Sequence, residues 1–324
     1  NLIGALGPEL GFDALWYHLT LPKIWLSRGV MDFIPGPVFK YSVMPKLTET
    51  LYAAGLSLLG AASPKIIHYF FGILALITTF KLSRKFLDIH NSLFVILILS
   101  GNLVFSWQST TAYVDLTRTF FEALALLLFI EDKYTGSAIT LGLAICSKLI
   151  ALSSFPIFIF LLLINKKKFP DITKYILFTL LIPLPWFIFS YIHTGNPFYP
   201  LFSPMLGQIP ISLNPLDLWT LFTQSPDPIS PIYIITAPLV FLFSLKKQSR
   251  GVQTIFLYTF FSLIIWFVTP HIGGGRFILP YLPALSITVI IIIKFITDIF
   301  LKRFLIFLIL LLSLSSILYR LAAN

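Results

Sequence analysis

The sequence predicts an all-α protein, a polytopic transmembrane helical bundle with interfacial helices in its first external loop. Three observations carry this. Of 324 residues, 57% are hydrophobic and only 11% charged, more apolar surface than a soluble domain of this length can bury, so lipid must be the solvent for much of it. The apolar residues fall in successive runs, several near the length of about 20 residues with which a helix crosses a bilayer. The basic residues form short clusters between those runs. That is the distribution of a membrane protein and not of a nucleic-acid binder, although the formal net charge is +10.

Taken in order, the chain opens on Asn1 partway into an apolar stretch, which predicts a preceding span upstream. Residues 12–29 place Phe12, Leu15, Trp16, Leu19, Ile24 and Trp25 among polar groups, and predict an amphipathic helix lying on the membrane surface, interrupted near Pro22. Membrane-embedded segments are predicted at 46–61, 64–82, 92–109, 116–130, 137–150, 151–165, 174–191, 231–245, 252–269, 279–296 and 304–319. The Lys/Arg clusters at 81–85, 133, 166–174, 246–250 and 302–303 mark the cytoplasmic side. Residues 8–45, the turn near 110–116, the Pro-rich 192–230 stretch and the turn at 270–278 are then outside. A single domain over 1–324 is expected: external loop 1–45, membrane helices 46–191, external loop 192–230, C-terminal membrane helices 231–324. The lone cysteine, Cys146, has no partner for an internal disulfide, and no internal repeat is visible.

Sorting the acids by side separates candidates from helix-end charges. Asp88, Glu131, Asp132, Asp171 and Asp298 fall at cytoplasmic ends and are read as solvated charges. Asp13 begins D-A-L-W-Y-H-L, and helical spacing would put Trp16 and Tyr17 on its face, a carboxylate beside aromatic rings where a general base and a sugar ring could meet. An aspartate there can equally cap the surface helix. His18 reads as a residue supporting this site; no second histidine stands at metal-ligand spacing from it. Asp115, in the outer turn A-Y-V-D, is a carboxylate at the membrane boundary with Arg118 three residues on, costly unless paired or functional. Glu49 sits in the first turn of a helix, where the macrodipole favours an acid, and is a further sugar- or acceptor-binding candidate. Glu122, about two turns below Asp115, is expected to face the bundle interior and to pair with Lys148.

Among cations, Lys148 interrupts an apolar run at an outward break between two short spans, where it could bind a phosphate oxygen or simply snorkel. Arg276 follows three glycines in H-I-G-G-G-R-F, so its backbone can approach closely and its guanidinium fork suits a phosphate; His271 is a second candidate at the same turn. A flexible turn with an interfacial anchor remains the other reading.

The sequence contains no phosphate-binding P-loop, no dinucleotide-binding glycine motif, no H-E-x-x-H and no paired C-x-x-C. An ATP or nucleotide-sugar site therefore lacks support, which points any group transfer toward a lipid-borne activated substrate.

An ordered set of pieces resembles the GT-C superfamily, the polytopic glycosyltransferases that use polyprenyl-phosphate-linked sugars, in the branch similar to protein O-mannosyltransferases and aminoarabinose transferases. The pieces are F-D-A-L-W-Y-H-L-T-L-P-K-I-W-L-S-R-G at 12–29, P-x-x-x-E at 45–49, A-Y-V-D at 112–115, the G-x-x-x-x-x-K ending at Lys148, G-N-P-F-Y-P at 195–200 and R-F-I-L-P-Y-L-P at 276–283. The resemblance implies a large first external loop with a catalytic acid near its start, matched by Asp13, a second external acid, matched by Asp115, and basic positions near the carrier phosphate, matched by Arg276 and Lys148. Many relatives carry two adjacent acids at the first site. Here Ala14 follows Asp13, so a divalent metal is not supported by ligand spacing, and no cofactor is assigned.

The expected function is inverting transfer of a hexosyl or pentosyl group from a polyprenyl-phosphate-sugar donor to an acceptor hydroxyl on a glycan, lipid or protein. The expected place is the external, periplasmic face of the cell membrane. A transporter or lipid/glycan flippase, and an oligosaccharide polymerase or ligase, are the alternative classes. The first would use mid-membrane charges such as Glu122, and the second a late external loop rich in arginine, which 192–230 is not.

Overall fold

A computed structural model describes residues 1–36, 38–203, 213–223, 227–246, 248–269 and 274–323. Every regular element among the described residues is helical. Lipid imposes this, because each backbone N–H and C=O must find its partner within the segment. Four described helices are long and apolar enough to cross a membrane: Ser63–Ser83, Arg250–Val268, Gly275–Phe295 and Ile299–Arg320. Phe169–Leu181 and Leu184–Thr194, bent by 56° where Pro183 and Pro185 break the ladder, make a fifth if they form one span.

The remaining apolar segments are shorter. The expected span at 92–109 is divided at Gly101 and Asn102 into Ile89–Ser100 and Leu103–Gln108. Tyr134–Ser147 and Phe155–Ile164 flank a 3-10 segment, Leu149–Ser154, and Lys148 sits at the break with extended backbone. Leu282–Phe295 is apolar on all sides, and every residue from Leu282 to Ile293 is buried, so it forms the centre of the bundle. Ile299–Ala323 lies at the periphery, with Phe300, Phe307, Leu314 and Leu318 exposed, a surface that suits lipid.

Two segments differ in detail from expectation. The segment 46–61 forms a helix, Leu47–Leu59, of only 13 residues. That is about 20 Å of rise, short of a hydrocarbon core of about 30 Å. It packs between Thr20–Arg28 and Ser63–Ser83, with Glu49 and Tyr52 buried. The surface segment is not interrupted at Pro22. Its break falls at Leu19, between a π-helical turn, Ala14–His18, and the helix Thr20–Arg28, whose first turn holds Pro22, where a missing N–H costs nothing.

The helix Asp115–Ile130 sets the two ends of the bundle, with about 24 Å between Asp115 and Ile130. Beyond its C-terminus the basic clusters gather: Lys85 lies 2.5 Å from Glu131, Arg250 2.6 Å and Lys167 3.6 Å from Asp132. Glu131 and Asp132 are thus paired rather than merely solvated. Asp88 and Asp298 do cap helix starts, accepting from the backbone N–H of Asn91 and Leu301.

Candidate active site

At the other end of Asp115–Ile130, residues distant in sequence converge. Asp13 stands at the N-cap of the π-helical turn, but its side chain makes no capping bond. Its Oδ2 lies 2.5 Å from Arg276 Nη1, so the capping alternative is not realised. The Asp13 backbone N–H donates to the Tyr113 hydroxyl at 3.2 Å, and the Arg276 guanidinium lies 5.4 Å over the Tyr113 ring. Gly11 lets the surface segment approach, since a Cβ there would stand 2.8 Å from Tyr113 Cε1.

Asp115 opens its helix with a side chain only 1% exposed, and its Oδ1 lies 2.5 Å from Lys148 Nζ. The second carboxylate oxygen, Oδ2, is buried and has no hydrogen-bond partner among the described residues. Phe277 links the two cations: Lys148 Nζ lies 4.6 Å and the Arg276 guanidinium 5.3 Å from its ring centroid. Two carboxylates and two cations therefore surround Tyr113 and Phe277, a balanced set whose members could each be redirected by an incoming charge.

The turn carrying Tyr113 and Asp115 is fixed from both sides. His68 is buried; its Nδ1–H donates to the Thr111 carbonyl at 2.8 Å, while Nε2 accepts from the Leu116 N–H at 3.0 Å. The partners set that tautomer. Glu9 Oε2 accepts from the Ala112 N–H at 2.5 Å.

Behind Asp13, the other expected residues take supporting places. Tyr17 packs against His18 (4.2 Å between centroids) and Tyr41 (5.3 Å), with Lys46 Nζ 5.0 Å over its ring. Burial first, and the Asp13 carboxylate second, push the Tyr17 hydroxyl above the usual phenol range, which places that hydroxyl within the field of the site. Trp16 donates from Nε1 to the Val38 carbonyl at 3.0 Å and so ties down the loop that follows. His18 and Glu49 are buried together: His18 Nδ1 lies 2.7 Å from Glu49 Oε1, which also takes Lys46 Nζ at 3.0 Å. Burial lowers the His18 pKa, and Glu49 pulls it the other way. His271 lies outside the described residues.

The expected Glu122–Lys148 pair does not form. Glu122 Oε1 takes Arg118 Nε at 2.6 Å, and Oε2 accepts from Ser154 at 2.8 Å and Tyr258 at 3.3 Å. Arg118 also donates to the Tyr281 hydroxyl at 3.0 Å. Arg118 stands four residues before Glu122 on one helix, a spacing that the nearness of Asp115 hid; it partners the deeper acid and not the outer one. This buried cluster joins Asp115–Ile130 to the segments that follow Lys148 and Arg276, and so holds both cations in register with Asp115.

Sequence reasoning passed over Tyr113, Phe277, Lys46, His68 and Asp227. Tyr113 and Phe277 lie inside the quoted motifs, so proximity to Asp115 and Arg276 was the available signal. Lys46 also lies inside a quoted motif, three residues before Glu49, while nothing local marks His68 or Asp227. Among the described residues, no group of three or more His, Cys, Asp or Glu side chains stands ready to hold a metal. Recesses of about 340 Å³ (Asp132 to Gly136 with Asp171, Lys174 and Tyr175) and about 310 Å³ (Phe80, Lys81, Arg84, Lys85, Leu127 and Glu131) lie at the basic end, away from the four converging charges.

Two solved structures of ArnT from Cupriavidus metallidurans, one bound to undecaprenyl phosphate and one in the apo state, are similar to this chain, with TM-scores of 0.70 and 0.69. Each likeness covers 91% of this chain at 13% identity, and this chain spans 59% and 58% of the length of those proteins. No family model and no curated protein matches the sequence. The fold is therefore that of these two structures, an all-helical membrane bundle, as the sequence implied. At this identity the likeness establishes the architecture alone.

Proposed function

We propose that the chain is a membrane glycosyltransferase. It would move a sugar from a polyprenyl-phosphate-linked donor to an acceptor hydroxyl at the outer face of the cell membrane, with inversion. The observation that carries this reading is the convergence of Asp13–Arg276 and Asp115–Lys148 at one end of a GT-C-like bundle. The basic clusters gather at the other end, and the positive-inside rule makes that end cytoplasmic. The site then faces outward.

In this mechanism the donor phosphate competes for Arg276, whose planar fork matches phosphate oxygens, and draws it off Asp13. Asp13, released, accepts the proton of the acceptor hydroxyl as that oxygen attacks the anomeric carbon. The bond from the anomeric carbon to the phosphate oxygen breaks, and the polyprenyl phosphate leaves with both electrons. Arg276 and Lys148 hold the charge that develops on it. Asp115 keeps Lys148 in place through Oδ1. Tyr17 and Trp16 line the approach. The polyprenyl tail would lie between spans; the similar ArnT is solved bound to undecaprenyl phosphate.

The test is sugar transfer from a polyprenyl-phosphate-sugar donor by the full-length protein in lipid vesicles, with Asp13→Asn as the control. Absence of transfer from every such donor, with the protein folded, would remove the reading. A transporter would draw on Glu122, but that carboxylate is already engaged by Arg118, Ser154 and Tyr258.

A further inference from the structure

Asp227 belongs to none of the motifs, yet it is built into the backbone that carries Arg276. The short stretch it opens is fixed to the bundle: the Ile229 N–H donates to the Leu221 carbonyl at 2.7 Å, the Ser230 N–H to Asn102 Oδ1 at 2.7 Å, and the Val104 N–H to the Pro228 carbonyl at 3.4 Å. Asp227 is itself only 4% exposed, and its Oδ2 accepts from the Arg276 backbone N–H at 3.3 Å.

The two residues before Arg276 are shaped to this contact. Gly274 has φ +60, and a Cβ there would stand 2.8 and 2.9 Å from the two Asp227 carboxylate oxygens. A Cβ on Gly275 would fall 2.0 Å from the Asp227 carbonyl oxygen. Both glycines are thus required for the turn that carries Arg276 to sit on Asp227. Burial raises the Asp227 pKa, partly offset by the Arg276 N–H, so the carboxyl is held here against its preference for water.

We infer that Asp227 is a positioning residue that seats the backbone of Arg276 and so presents its guanidinium to the donor phosphate. The inference rests on the glycosyltransferase reading for the identity of that phosphate, not for the seat itself. The side chain of Arg276 has to leave Asp13 for the phosphate, and a backbone fixed at Asp227 restricts that movement to the side chain. Fixing the arginine in advance spares the entropy of ordering it on binding.

Two measurements on the full-length protein in lipid vesicles separate the seat from the donor. The first is labelling of Arg276 by phenylglyoxal, read by mass spectrometry. The second is binding of undecaprenyl phosphate. Asp227→Ala is expected to raise labelling and weaken binding by about tenfold each, the size of one lost hydrogen bond to a buried group. Asp227→Asn, which keeps an acceptor oxygen, is expected to stay within about threefold of wild type. Gly274→Ala breaks the same contact from the other side and is expected to match Asp227→Ala, which keeps the test decisive if one variant does not fold. Asp227→Ala combined with Arg276→Ala is expected to bind no more weakly than Arg276→Ala alone.

Unchanged labelling in both Asp227→Ala and Gly274→Ala overturns the inference, as does a fully additive double variant. If Arg276 becomes reactive as expected but the wild type binds no undecaprenyl phosphate, the seat is upheld and the donor assignment falls.

Discussion

Arg276 reaches across 263 residues of sequence to place its Nη1 2.5 Å from Asp13 Oδ2. The proposed base and the proposed phosphate anchor therefore hold each other, and a donor phosphate would part them. Replacing Asp13 with Asn leaves Arg276 without its carboxylate. Transfer is expected to fall by about 10²- to 10⁴-fold, the range for loss of a general base. Binding of undecaprenyl phosphate is expected to be unchanged or tighter, because the guanidinium is released. Turnover and a binding isotherm on one preparation check both arms; weaker binding in Asp13→Asn would argue against the exchange of partners.

The Lys148–Asp115 pair is a test of stability as much as of activity. Lys148→Met strands a carboxylate whose side chain is 1% exposed, and breaking such a pair costs about 3 kcal/mol. Adding Asp115→Asn removes the stranded charge, so the double variant is expected to be more stable than Lys148→Met alone. Thermal unfolding in detergent gives the ordering. A double variant less stable than either single would show that the two side chains act separately.

Glu122→Ala is expected to destabilise by about 3 to 5 kcal/mol, since it leaves the Arg118 guanidinium, 1% exposed, without its acid. Glu122→Gln keeps an acceptor for Arg118 and a partner for Ser154, and is expected to lose less. A flippase using Glu122 as a proton carrier would instead leave stability intact and abolish transport, so unfolding and a lipid-scrambling assay together discriminate.

His18 gives the protein a pH dependence with a definite sign. Burial lowers its pKa in the folded protein below the ordinary value of 6.5, so the unfolded chain takes up a proton first as pH falls. The stability from burying the neutral ring is fully present above that value. It declines from there toward the lowered folded pKa. Thermal unfolding followed from pH 8 down to about pH 5 is expected to show this loss in the wild type and a flatter profile in His18→Gln. Equal slopes would exclude His18 as the titrating group.

Much of the site was legible in the sequence because charge in an apolar chain is rare and therefore informative. Asp13, Asp115, Lys148 and Arg276 each stood out for that reason, and all four meet. Helical spacing expected Trp16 and Tyr17 on the face of Asp13; the turn is π-helical instead, and Trp16 is engaged with Val38. The pairings were not legible. Arg118 three residues after Asp115 and Glu122 within reach of Lys148 suggested the wrong partners, since spacing along one helix cannot tell which acid a neighbouring segment will claim. Asp227 and His68 gave no signal at all, because their roles are contacts to the backbone of segments far away in sequence.

Taken alone, the sequence determined the solvent and hence the architecture. With so few charges and such long apolar runs, only helices that satisfy their own backbone can be buried in lipid, and the basic residues fall in clusters between those runs. It also fixed which polar residues had to be accounted for. Only the tertiary structure decided who pairs with whom. A buried charge must find its opposite within a few ångströms, and packing between segments brings Arg276 onto Asp13 and Lys148 onto Asp115, which leaves Arg118 to Glu122, four residues on in its own helix. It also decided that Glu49 is buried with His18 and Lys46, which depends on neighbours that periodicity does not reveal.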